Sequence, residues 1–211
     1  KMVAQIRGGA SIAFVSDAGT PAVSDPGALL VQAVLAAGLR VIPIPGASAA
    51  VAALSASGLN AAHFLFYGFL PNKSAARRTT LQSLQDHPYT LVFYEAPHRI
   101  VECVNDLCAV YGNERQIILA REITKLFETI HSCRLSEAAA WLQSDSNQQR
   151  GEFVVLISAA PPQTGLPLES ERVLKLLLAE LPLKQAVQLA VQITGTGRNE
   201  LYQLALQLKQ E

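Results

Sequence analysis

Short apolar runs that end in loops of glycine, proline and other small residues, each followed by a longer stretch of helical period, recur along this chain, and that alternation restricts it to an α/β architecture. Strands are expected over residues 11–15, 40–44, 64–69, 90–94, 116–121, 127–133 and 152–158. The opening residues read as the end of a helix. Further helices are expected over 28–37, stopped by Gly38, over a small-residue segment after Pro45 and Gly46 that ends near Gly58, over 74–85, from Pro97 to a stop at Gly112, and over 136–143. Residues 160–168 carry turn formers without a period and read as a linker. Residues 169–211 form a helical module with periodic segments at 183–193 and 199–208. The expected division is therefore 1–62, 63–159 and 169–211.

Composition excludes several classes. With 211 residues, 50% of them hydrophobic and 16% charged, the chain can bury the core of one large or two modest domains. Seventeen basic residues balance seventeen acidic ones, so any nucleic-acid contact must come from local patches. The longest apolar stretch, 47–66, is built from alanine, serine and glycine and contains Asn60 and His63, too weakly hydrophobic for a membrane span. Three cysteines without C-x-x-C spacing argue against a disulfide framework and against a zinc site. The expected setting is a reduced cytoplasm, with no metal and no membrane partner.

Two loops carry the functional signal. VSDAGTPAVSDPG (15–27) leaves an expected strand through small residues that let a ligand approach the backbone. PIPGASAAVAALSASG (43–58) places a second tight turn at another strand end, before a helix. Either alone is most simply a strand-to-helix turn. Together they match the way open α/β sheets gather ligand-binding loops at neighbouring strand ends.

The pair resembles the S-adenosylmethionine-binding loops of the tetrapyrrole methylase superfamily, with Ala18-Gly19-Thr20-Pro21 and Pro45-Gly46-Ala47-Ser48-Ala49 as the two turns. Three further motifs, GFLPNKSAARR (68–78), VFYEAPHR (92–99) and LAREITKLFET (119–129), together with GEFVVL (151–156), are similar to its ribosomal RNA 2′-O-methyltransferase branch. The resemblance implies a two-domain tetrapyrrole-methylase fold, class III among S-adenosylmethionine methyltransferases, followed by a helix-turn-helix-like helical module. It also implies a homodimer acting on a cytidine of small-subunit (16S) ribosomal RNA. The family opens with a strand and a P-x-G-N-L-x-D loop that do not occur in this sequence. A partial N-terminal domain, lacking roughly its first third, is therefore expected.

By the same resemblance Ser16, Asp17, Ala18, Gly19, Thr20, Ser48, Ala49 and Tyr94 contact the cofactor. Thr20 replaces the aspartate usual in the first turn, and Asp17 stands nearer the strand. Methyl transfer from a sulfonium demands in-line geometry and a competent nucleophile, not a metal. Glu95 or Glu122 is the expected base for a ribose hydroxyl, with Arg121 and Lys125 positioning RNA. Taken alone, Glu95 would simply cap the helix that follows, and Arg121, Glu122, Lys125 and Glu128 would form a solvated charged face. Lys73, Arg77, Arg78 and Arg99 are the phosphate-binding candidates, Lys73 and Arg77 being spaced four apart on one expected helix face. In the helical module, TGTGR (194–198) lacks a preceding strand and reads as the turn of a helix-turn-helix, with Arg198, Asn199 and Lys209 as possible nucleic-acid contacts.

Two rivals come from other classes. GASAA (46–50) partly mimics a nucleophile elbow, with Ser48 as nucleophile and Asp106 and His131 as nominal partners, but its final glycine is missing. A noncatalytic RNA-binding protein would use the basic cluster and the terminal helices and would leave both small-residue loops without a task.

Overall fold

The structure is a computed structural model that describes residues 1–17, 19–60, 62–161 and 168–208. Two compact units, Lys1–Ala160 and Pro161–Glu211, each hold their own core. The expected linker falls mostly on residues 162–167, outside the described residues, as do the cofactor candidate Ala18 and the nucleic-acid candidate Lys209.

The first unit is organised by a five-stranded sheet of β1 (Phe64–Phe69), β2 (Thr90–Glu95), β3 (Gln116–Arg121), β4 (Thr129–Arg134) and β5 (Phe153–Ile157), in the order β1-β2-β5-β3-β4. β1 and β2 pair in parallel and the remaining pairs are antiparallel, so β1, β2 and β3 run the same way and their C-terminal ends share one edge. The first half of the unit contributes helices α1 (Met2–Arg7), α2 (Ala28–Ala36) and α3 (Ala49–Ala56). Helices α4 (Ser74–Ser83), α5 (Ile100–Tyr111), preceded by a 3-10 turn over Pro97–Arg99, and α6 (Leu135–Ser144) complete it, with a second such turn over Ser146–Gln149.

Strand alternation turns successive side chains to opposite faces, and the core divides accordingly. Leu91, Phe93, Ile117, Leu119, Val155 and Ile157 pack against Leu81 of α4, Ile100, Cys103, Val104 and Leu107 of α5, and Leu135 and Leu142 of α6. Val92, Ile118, Ala120, Val154 and Leu156 face the other way, against Ala50, Ala53 and Leu54 of α3. The small side chains of α3 let its backbone lie close on the sheet.

The expected strands at 11–15 and 40–44 are not formed. Both segments are extended chain, and among the described residues neither has a hydrogen-bonded partner strand. Their apolar side chains, among them Ile12, Phe14, Val15, Ile42 and Ile44, are exposed. An apolar run becomes a strand only when a neighbour completes its ladder.

The second unit comprises α7 (Leu168–Glu180), α8 (Leu183–Thr194) and α9 (Arg198–Leu208) around Leu174, Val187, Ala190, Leu201 and Ala205. Gly195, left-handed at φ 69°, ends α8 and starts the turn into α9. No helix among the described residues is long and apolar enough to cross a membrane.

Candidate active site

The two small-residue loops meet. The Thr20 hydroxyl donates to the Ala47 carbonyl at 3.2 Å, joining loops 27 residues apart in sequence. Ser48 caps α3, its hydroxyl accepting from the Val51 N–H at 3.5 Å. The first loop also reaches the sheet: Gly68, at φ 83° beside a bulge in β1, lies so close to the Ser24 hydroxyl that an added Cβ would stand 2.8 Å from it. Gly19 (φ 68°), Gly27 (φ 134°) and the non-glycine residues Ala22 (φ 67°) and Ser24 (φ 57°) give the described part of this loop four positive-φ positions. Ala49 and Tyr94 pack against the same buried cluster on the α3 face, where Tyr94 is flanked edge-on by Phe66 and Phe69. Ser16, Asp17, Gly19 and Thr20 stand in the first loop, which Thr20 joins to the turn before Ser48 and Ala49, and Ala49 and Tyr94 border one buried cluster. The left-handed backbone and the close Gly68 approach suit a ligand held by main-chain groups.

Glu95 lies elsewhere. Next to Tyr94, it projects through the opposite face, where its side chain is fully buried. Its Oε1 accepts from the Arg99 Nε at 2.8 Å, the Arg99 Nη2 at 2.5 Å and the Ala96 N–H at 2.7 Å. Burial, and then the nearby Glu95 carboxylate, push the Cys103 thiol well up. The sheet separates Glu95 from the loops, so it fits the charge partner of Arg99, not a base reaching a hydroxyl on the α3 side.

Arg77 also departs from expectation. It is completely buried, and its Nε donates to Asp106 Oδ2 at 2.6 Å. Its Nη1 donates to the Pro71 and Asn72 carbonyls. Arg78 and Ser74 donate to Asp106 Oδ1 at 2.6 and 2.9 Å. Burial raises the Asp106 carboxyl, yet the hydrogen bonds from Arg78, Arg77 and Ser74 outweigh it and hold the group below its ordinary range. Arg77 is thereby removed from the phosphate-binding candidates, because its guanidinium is consumed in tying α4 to α5 and to the 71–72 loop. Lys73 is exposed at the start of α4, with no ion pair among the described residues, and Arg78 is half exposed. Arg99 is mostly buried and donates to both Glu95 and Asn72.

Arg121, Glu122 and Lys125 come together in the hairpin between β3 and β4. Glu122 Oε1 accepts from the Lys125 ammonium and from the Glu152 N–H, each at 2.9 Å, while Lys125 also reaches Glu152 Oε2 at 2.9 Å. The Glu152 N–H first, and then Lys125, hold the Glu122 carboxyl below its ordinary range. The Lys125 ammonium is raised by Glu152 and then Glu122. Arg121 donates to the Arg150 carbonyl and the Thr129 hydroxyl, both at 3.3 Å. Glu122 and Thr124 are left-handed at φ 52° and 66°. The sequence reading missed Glu152 as the second anchor of Lys125 and Asn72 as the partner of Arg99. Glu152 lies in a motif noted above, but only the sheet register, with Arg121 opposite Phe153, places it against the hairpin.

The nucleophile-elbow alternative is not assembled. Asp106 is committed to two arginines, and His131 stacks on Trp141 at 4.0 Å on the α6 face, away from Ser48. In the second unit, Arg198 opens α9 beside Gln188, Val191 and Gln192 of α8.

The family model of the Tetrapyrrole (Corrin/Porphyrin) Methylases matches residues 1–139, and that of the RsmI C-terminal HTH domain matches residues 164–209. Ribosomal RNA small subunit methyltransferase I of Pseudomonas aeruginosa is 53% identical over 210 residues, covering 98% of this chain and 74% of that protein. Its counterpart from Escherichia coli O157:H7 is 46% identical over 207 residues, covering 98% of this chain and 72% of that protein. The crystal structure of the methyltransferase CobJ shares the fold at a TM-score of 0.52 and 23% identity, over 67% of this chain and 62% of that one. The chain belongs to the tetrapyrrole methylase family and, within it, to the family of ribosomal RNA small subunit methyltransferase I.

Proposed function

We propose that this chain transfers a methyl group from S-adenosylmethionine to the ribose 2′-oxygen of a cytidine in small-subunit ribosomal RNA, as a cytoplasmic homodimer. The observation that carries the reading is the Thr20–Ala47 hydrogen bond, which joins the two small-residue loops beside Tyr94. Residues 1–62 and 63–159 are taken as the two halves that hold the cofactor between them, and 169–211 as the helical module.

When bound, S-adenosylmethionine supplies an electrophilic methyl group. The ledge of Ser16, Asp17, Gly19, Thr20, Ser48, Ala49 and Tyr94 fits such a molecule because its surface is small-residue backbone over an aromatic floor. The acceptor hydroxyl is a weak acid and needs its developing negative charge stabilised. Lys125, a persistent cation, and Arg121 supply that charge. Glu122, held as a weakly basic carboxylate, orients Lys125, and the proton released as the hydroxyl is methylated passes to solvent water. Lys73 and Arg78 contribute exposed positive charge for phosphate.

The test is transfer of labelled methyl from S-adenosylmethionine to small-subunit ribosomal RNA, followed by alkaline hydrolysis. An alkali-resistant dinucleotide containing 2′-O-methylcytidine is the expected product, and label on a base would overturn the assignment. Lys125→Ala should lower kcat about a hundredfold, the scale of losing one charge-stabilising donor, with cofactor affinity unchanged by calorimetry.

A further inference from the structure

The hairpin between β3 and β4 holds two large apolar side chains in solvent. Leu126 is 89% exposed and Phe127 65% exposed, side by side at its tip. The backbone beneath them is closely tied. Glu122 N–H donates to the Glu152 carbonyl, Lys125 N–H to the Glu122 carbonyl, Glu128 N–H to the Lys125 carbonyl, and Thr124 N–H to Glu128 Oε2. Lys125 bridges Glu122 and Glu152 below the tip, and left-handed Glu122 and Thr124 set its bend. A loop that spends two strained residues and a network of hydrogen bonds to keep apolar groups in water is built to present them.

We propose that Phe127, supported by Leu126, is a platform on which an unpaired nucleobase of the RNA acceptor stacks. This rests on the reading above that the acceptor is RNA. The tip grows from Arg121 and Lys125, at the sheet edge shared by the C-terminal ends of β1, β2 and β3. A strand whose ribose approaches those cations brings its bases within reach of the tip, and sequence-tolerant base contact is made by aromatic faces. Arg121, whose hydrogen bonds go to a carbonyl and a hydroxyl, and the exposed Lys73 beyond the C-terminal end of β1 are the cations left to meet a phosphate backbone, Lys125 being held between Glu122 and Glu152. A purely apolar protein partner would leave these charges unused. Truncating Phe127 leaves the hairpin intact, because its hydrogen bond, from the Thr129 hydroxyl, is to the backbone carbonyl.

The experiment titrates this chain, without cofactor, with a labelled single-stranded oligoribonucleotide and with a duplex of the same length. Phe127→Ala should weaken single-strand binding about tenfold, the scale of one lost base stack. Duplex binding should change little, and so should the salt dependence, since no charge is removed. Phe127→Trp should restore affinity and show indole quenching on binding, above the background of Trp141. Equal single-strand binding by wild type and Phe127→Ala overturns the proposal. So does sedimentation velocity showing that Phe127→Ala converts a dimer to a monomer, which would make the tip a contact between copies. Methyl transfer is scored separately. Stacking without any transfer to RNA would sink the functional reading and leave the platform standing, whereas transfer with an unchanged KM in Phe127→Ala would sink the platform alone.

Discussion

Asp106 collects hydrogen bonds from Arg77, Arg78 and Ser74 while almost completely buried. Removing its charge strands the Arg77 guanidinium in the interior, where an unpaired cation is far costlier than the pair was favourable. Asp106→Asn should cost about 3–5 kcal/mol in urea unfolding. Because the folded carboxyl lies below its ordinary value of 3.8, its contribution is complete above that value and disappears as pH falls through the lower folded one. Wild type should therefore lose stability on acidification below about pH 4, and Asp106→Asn should lose less over that interval. The i, i+4 spacing of Arg77 from Lys73 suggests one shared surface face, and that spacing alone does not reveal which side of α4 is buried. The informative neighbour was Leu81, four residues on and fully buried, which marks the inward side of α4. Glu95 was legible as a charged residue at a strand end, but the face it takes follows from the sheet register.

At the level of elements, two glycines hold the site loops. Gly151, at φ 84°, lies against the Glu122 side chain, and a Cβ there would come within 2.4 Å of Glu122 Cγ. Gly151→Ala should displace Glu122 from Lys125 and lower kcat without altering cofactor affinity. Gly68→Ala should push Ser24 away and weaken cofactor binding instead, so calorimetry beside steady-state kinetics separates the two loops. The strands of the main sheet were readable as apolar runs, most to within two residues, because each pairs with a neighbour within the chain. Residues 11–15 and 40–44 carry the same apolar signal without a partner, and periodicity does not reveal whether a ladder will form. The loops that follow them were legible all the same, since small residues, proline and glycine announce a turn whether or not the strand before it is paired.

For the whole molecule, charge balance bears on how it meets RNA. Seventeen positive residues offset seventeen negative, and two of the expected phosphate contacts, Arg77 and Arg99, are engaged with carboxylates inside the fold. Few phosphates are then neutralised on binding. The logarithm of RNA affinity against the logarithm of salt should have a slope no steeper than about −3, measurable by fluorescence anisotropy. A much steeper slope would mean a basic surface that the individual units do not display. Family and fold were legible in the sequence because their motifs span nearly the whole chain. Which cations remain available was not, since that depends on pairings between helices distant in sequence.

Tyr94 and Glu95 are consecutive residues on opposite sides of one sheet, the first beside the proposed cofactor ledge and the second within the Arg99 ion pair. Adjacent codons therefore answer to different selective pressures. On the proposed reading, a change at 94 is judged by how well a small molecule is retained, and one at 95 by whether a buried positive charge still has its counterion. Drift at either position can proceed without a compensating change at the other, however close they lie in the gene.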